Sequence, residues 1–188
     1  MVNEFLSDPD FIAKNLPVRT LEVAVVVSGW MSDESIRWEF EAASELLRAQ
    51  VGIALHVTVF REPVFGSRAF HVVHATLRDF RKTHPDFDIV VGLSLPEGAE
   101  SYTCFLGFCF TGMIDPSVMN NFVIFTLSRD VIIHELGHVF LGIFHSERGV
   151  MMPSSEGVYF TLDDRERILR NKWKYLRHVP VEWDAVSP

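Results

Sequence analysis

His134, Glu135 and His138 stand in the order His-Glu-Leu-Gly-His, with Gly142 and His145 close behind. On a helix, positions four apart lie about 40° apart around the axis and one turn along it. His134 and His138 can therefore present both imidazoles to one ion, with Glu135 beside it. Zinc accepts neutral imidazole nitrogens at about 2.1 Å, and a catalytic zinc keeps three protein ligands and a water in the open fourth position. The chemistry this supports is hydrolysis. The metal polarises a carbonyl and acidifies the water, and Glu135 takes the water's proton and hands it to the leaving amine. One catalytic Zn2+ is the expected cofactor.

The third ligand needs a break in the helix, because a continuous helix would carry His145 about 10 Å along the axis from His138. Gly142 supplies one. It can take a left-handed conformation, end the helix as its C-cap and turn the chain back toward the metal. The expected ligands are His134, His138 and His145, with Glu135 as the catalytic base. Asp163, Asp164 and Glu166, on a downstream helix, are the acidic competitors for the third position.

The stretch resembles the active-site motif of metzincin zinc peptidases, H-E-x-x-H-x-x-G-x-x-H, at His134, Glu135, His138, Gly142 and His145. Val150-Met151-Met152-Pro153-Ser154 then resembles the clan's Met-turn, with Met151 and Met152 both available to underlie the metal. The chain departs from the motif by one extra residue between His138 and Gly142, while the glycine-to-histidine spacing is kept. The resemblance implies a metalloendopeptidase acting on a peptide or protein, with an antiparallel edge strand that pairs with extended substrate. It also implies a small C-terminal subdomain after the Met-turn. The wording His-Glu-Leu-Gly-His is most similar to archaemetzincins and to adamalysin- or matrixin-like enzymes. Ser146 stands where archaemetzincins begin the cysteines of a second, structural zinc, so that zinc is not expected here. Two other readings stay open: a zinc-binding peptide-recognition domain of the same fold without general proteolytic activity, and a gluzincin-like hydrolase with an acidic third ligand.

The surrounding pattern supplies elements to position these groups. Residues 21–28 are a near-continuous apolar run ending at Gly29, and 33–50 carry Ile36, Phe40, Ala43 and Leu47 at helical spacing. A strand follows over 53–60, a helix over 67–84 with Phe70, Val73, Leu77 and Phe80, and a strand over 88–93. Such alternation predicts an α/β fold, a mixed, mainly parallel five-stranded sheet covered by helices. Residues 104–111 read as a short irregular strand and 121–127 as the strand before the active-site helix, which Ser128 caps. Thr161 caps a last helix with acidic residues in its first turn. The expected organisation is one catalytic domain over 1–188, with an upper subdomain over 1–142 and a lower one over 143–188.

Composition adds boundaries rather than chemistry. A net charge of −8 argues against nucleic acid as a partner. Basic residues cluster over 165–177, and the interleaved apolar positions suggest a solvated helix face. Cys104 and Cys109 are the two cysteines; on one strand their odd separation points them to opposite faces, which predicts free, buried thiols. His71 and His74, three apart, read as a surface pair rather than a second metal site. No apolar run is long enough to span a membrane and no signal peptide is visible at the N-terminus, so a cytoplasmic location is expected.

Overall fold

The computed structural model describes residues 17–29, 31–63, 65, 69–94, 103–105, 108–143, 145–152 and 158–177. The elements run β1 (Arg19–Ser28), α1 (Asp33–Val51), β2 (Ile53–Phe60), α2 (Phe70–Thr83), β3 (Ile89–Ser94), β4 (Thr103–Phe105) and β5 (Phe108–Phe110). They continue with β6 (Gly112–Ile114), β7 (Asn121–Ile124), α3 (Arg129–Leu141) and α4 (Leu162–Asn171). This is a mixed α/β fold with a five-stranded sheet in the order β2-β1-β3-β7-β6. All neighbours are parallel except β6, which runs antiparallel to β7 at the sheet's end.

Alternation along the strands builds two apolar layers. Val23, Val25 and Val27 of β1, Val91 of β3 and Phe122 and Ile124 of β7 pack with α1, α3 and α4. Ala24, Val26, Val90 and Val123 face the other way, onto Val73, Leu77 and Phe80 of α2. β1 and β3 are covered on both faces, which is why their sequences are apolar without alternation. Each fully buried Val, Leu or Phe contributes about 1.5 to 3 kcal/mol, so the sheet centre is the most strongly held part of the scaffold.

The helix ends follow their local chemistry. Ser32 caps α1 by accepting from Ser35 N, and Gly52, at φ 64°, closes it in the left-handed conformation. Thr161 and Asp164 form a reciprocal capping box on α4. Gln50, buried in α1, donates to Val158 O at 2.9 Å and accepts from Phe160 N at 2.8 Å, joining α1 to the segment that enters α4. Both ends of this amide are satisfied, which removes the cost of burying it.

Three expectations change. Residues 104–111 do not form one strand: β4 and β5 are the two arms of an antiparallel hairpin, and the sheet's antiparallel edge is β6. β4 ends at Phe105 and β5 begins at Phe108. With the cysteines on different strands, the argument from odd spacing lapses.

The basic cluster is a solvated face only in part: Arg167, Arg170, Lys174 and Arg177 are exposed, but two members turn inward. Arg165 and Lys172 are buried, Arg165 donating to Phe160 O and Lys172 to Pro17 O. His71 and His74 are not a surface pair. His74 is 3% exposed, with Nδ1 4.0 Å from Asp115.

Among the described residues no helix is long and apolar enough to cross a membrane.

Candidate functional site

α3 carries the motif, and it is buried all round from Val131 to Leu141. Ser128 caps its start by accepting from Asp130 N. Its apolar side chains join the core shared with α1, α4 and the sheet, and Glu135 lies against Gly112 of β6. A helix surrounded by protein needs internal partners for every polar group it carries. For His134 and His138 half of that requirement is met by backbone: His134 Nδ1 donates to Val150 O at 2.7 Å, and His138 Nδ1 donates to Gly142 O at 2.8 Å. A carbonyl can only accept, so both rings hold their proton on Nδ1 and offer a lone pair at Nε2.

Those two Nε2 atoms lie 3.1 Å apart. Two lone pairs at that distance repel unless something positive lies between them. His145 joins them: its ring centroid is 5.2 Å from that of His134 and 4.7 Å from that of His138. One ligand atom from each of the three histidines lies within 4.8 Å of the others. No other such cluster of His, Cys, Asp and Glu occurs among the described residues. Three histidines thus lie close enough to hold one metal ion, and their donor atoms fit a cation. His134 and His138 are 9% and 4% exposed, while His145 is exposed. Burial lowers the proton affinity of all three imidazoles, that of His138 to about 4, where neighbouring histidines add to the effect and the Gly142 carbonyl opposes it. Near neutral pH they are uncharged, the form that ligates.

Gly142 ends the helix as expected, but by a different conformation. Its φ of 81° and ψ of −164° lie in an extended region that glycine alone visits freely, not in the left-handed helical one. The helix runs on to Leu141 and the chain leaves it extended at Gly142. Two further contacts pin the loop beyond: Ser146 N donates to Met151 O at 3.1 Å, and Ser146 Oγ donates to Asp164. Asp164 is thereby committed to Ser146 and the Thr161 cap, and Glu166 pairs with Arg170. Neither they nor Asp163 join the histidine cluster.

No family model matches this chain, and no curated protein does.

Glu135 is buried, and its Oε2 has no hydrogen-bond partner among the described residues. Desolvation alone pushes its carboxyl up to about 8. The space it occupies exists because β6 begins with a glycine: a Cβ on Gly112 would fall 2.6 Å from Glu135 Oε1. Gly137, in the same motif, has a similar explanation. A Cβ there would collide with Met151 Sδ and come within 2.9 Å of Phe160 Cε1. Met151 is fully buried beneath the helix and Met152 only partly, which separates the two methionines that the sequence left equivalent. Pro153 and Ser154 lie outside the described residues.

The sequence reading missed Gly112 and the Ser146–Asp164 contact. A glycine opening an otherwise apolar strand was a readable sign of close approach at Gly112; nothing local signalled the partnership across α4.

Proposed function

We propose that this chain is a zinc-dependent endopeptidase of metzincin type, with His134, His138 and His145 holding the metal and Glu135 as the general base. The observation that carries the reading is the three-histidine cluster, in which two backbone carbonyls fix the tautomers so that the Nε2 lone pairs of His134 and His138 face each other. Zinc is the ion that three neutral imidazoles suit best, and when bound it supplies Lewis acidity to a carbonyl and acidity to a water.

The chain's own residues do the rest. A cation held beside it would favour the ionised form of Glu135 over the raised proton affinity that burial alone gives. That carboxylate would take the proton of the attacking water and return it to the leaving amine, and its Oε2 has no competing hydrogen-bond partner among the described residues. Val150 O and Gly142 O hold the imidazoles in one orientation throughout. A peptide is the favoured substrate because β6 is the terminal strand of the sheet and begins at the glycine lying against Glu135, so a strand added to β6 would run past the base.

The deciding experiment compares the native chain with Glu135→Ala for zinc content and for cleavage of a diverse peptide library. One zinc in each and cleavage by the native chain alone is the expected result. Absence of zinc after metal-replete purification would sink the proposal, and one zinc without cleavage in either would leave a peptide-binding domain in its place.

A further inference from the structure

Cys104 and Cys109 sit directly opposite one another in the β4–β5 hairpin, between the pairs Thr103 with Phe110 and Phe105 with Phe108. Only two residues connect the arms. Directly opposite residues of an antiparallel pair hold their Cα atoms about 4.5 to 5.5 Å apart, inside the span of about 4.4 to 6.8 Å that a disulfide bridges. Residues directly opposite also share one face of the hairpin.

We propose that Cys104 and Cys109 are a site of reversible oxidation, closing a cross-strand disulfide on exposure to a small disulfide oxidant such as glutathione disulfide. One cysteine thiolate attacks a sulfur of the oxidant, its S–S bond breaks, and the glutathione released takes up the proton. The second cysteine thiolate attacks the protein sulfur of the mixed disulfide and expels the other glutathione. Two cysteine thiols are oxidised to one disulfide while glutathione disulfide is reduced to two glutathiones, so electrons and protons balance. The register makes the second step intramolecular and short. The inference does not depend on the zinc reading, although it concerns the same edge of the molecule: β5 leads through Thr111 into Gly112, the residue that lies against Glu135.

The test equilibrates the full chain in glutathione buffers of graded ratio, quenches with acid, alkylates the remaining thiols and reads intact mass and peptide maps. Expected is joint loss of both alkylatable thiols, a mass decrease of two hydrogens, a linked Cys104–Cys109 peptide and no interchain dimer. Cys104→Ser and Cys109→Ser should each stop at a glutathione adduct. The same titration in denaturant should need a more oxidising ratio, because the folded register no longer holds the pair. Persistent glutathione adducts on the native chain, thiols that stay alkylatable in the oxidised buffer, or equal midpoints with and without denaturant would each overturn the proposal.

Discussion

Ser146 Oγ donates to Asp164, 2.7 Å from Oδ1 and 2.9 Å from Oδ2, and so fastens the residue after His145 to the first turn of α4. His145 itself is exposed and, among the described residues, has no backbone partner of the kind that holds His134 and His138, so its position rests on its neighbour. Ser146→Ala should weaken zinc retention by about 10- to 100-fold, the usual cost of losing a group that orients a ligand. Ser146→Thr, which keeps the hydroxyl, should recover most of it. Competition against a chromophoric chelator measures this, and an unchanged zinc Kd for Ser146→Ala would show that the loop is held by other means.

Gly137 and Met151 share one space. Gly137→Ala adds a methyl group where Met151 Sδ and Phe160 already are, and overfilling a packed core costs about 1 to 3 kcal/mol. Adding Met151→Ala should relieve that clash, so the double variant should lose less stability than the two single losses summed. Urea unfolding of the four proteins gives the coupling directly; strictly additive losses would mean the two side chains do not compete.

Gly112→Ala separates the base from the metal. Its methyl would press on Glu135 Oε1, at 2.6 Å, and the three atoms nearest to it all belong to Glu135. Zinc content should be unchanged and kcat/KM for peptide cleavage should fall about 100-fold, the scale expected when a reacting group is displaced by about 1 Å. Loss of zinc together with activity would instead mean that the substitution disturbs the whole of α3.

His74 should make the fold sensitive to acid. Burial holds its imidazole below the usual value, an effect that the carboxylate of Asp115 opposes and Arg78 reinforces. The unfolded chain therefore takes up the proton first, at about pH 6.5. The stabilising difference is fully present above that pH and is lost as pH falls below it. His74→Phe, which cannot be protonated, should lose less stability than the parent between pH 7.5 and 5.5 in denaturant titrations. Equal losses would assign the acid sensitivity to other groups.

What could be read from the sequence was local. Ser128 and Thr161 announced helix starts by side chains that bond within the same turn, and the burial of β1 and β3 is written in their unbroken apolar runs. The histidine cluster was legible for the same reason, since helical spacing alone brings His134 and His138 together. The remainder depended on partners distant in the chain. Whether 104–111 is one strand or a hairpin is decided by register, and β6 is defined by its pairing with β7. The burial of Arg165 and Lys172 could not be read from the cluster, because the carbonyls they serve lie outside their own helix. The exit at Gly142 required glycine in either conformation, so residue identity could not choose between them.

The end of α3 is closed from outside. His138 O accepts from Gly142 N, but Val139 O accepts from Lys174, Phe140 O from Asn171 Nδ2 at 2.9 Å and Leu141 O from Arg167 at 3.1 Å. These partners come 26 to 35 residues later in the chain. During synthesis the histidines of α3 therefore emerge well before the groups that finish their helix, and α3 completes its last turn only once α4 and the residues just beyond it have been made. A ribosome-bound fragment stopping at residue 160 would carry every member of the histidine cluster yet lack the partners that finish α3.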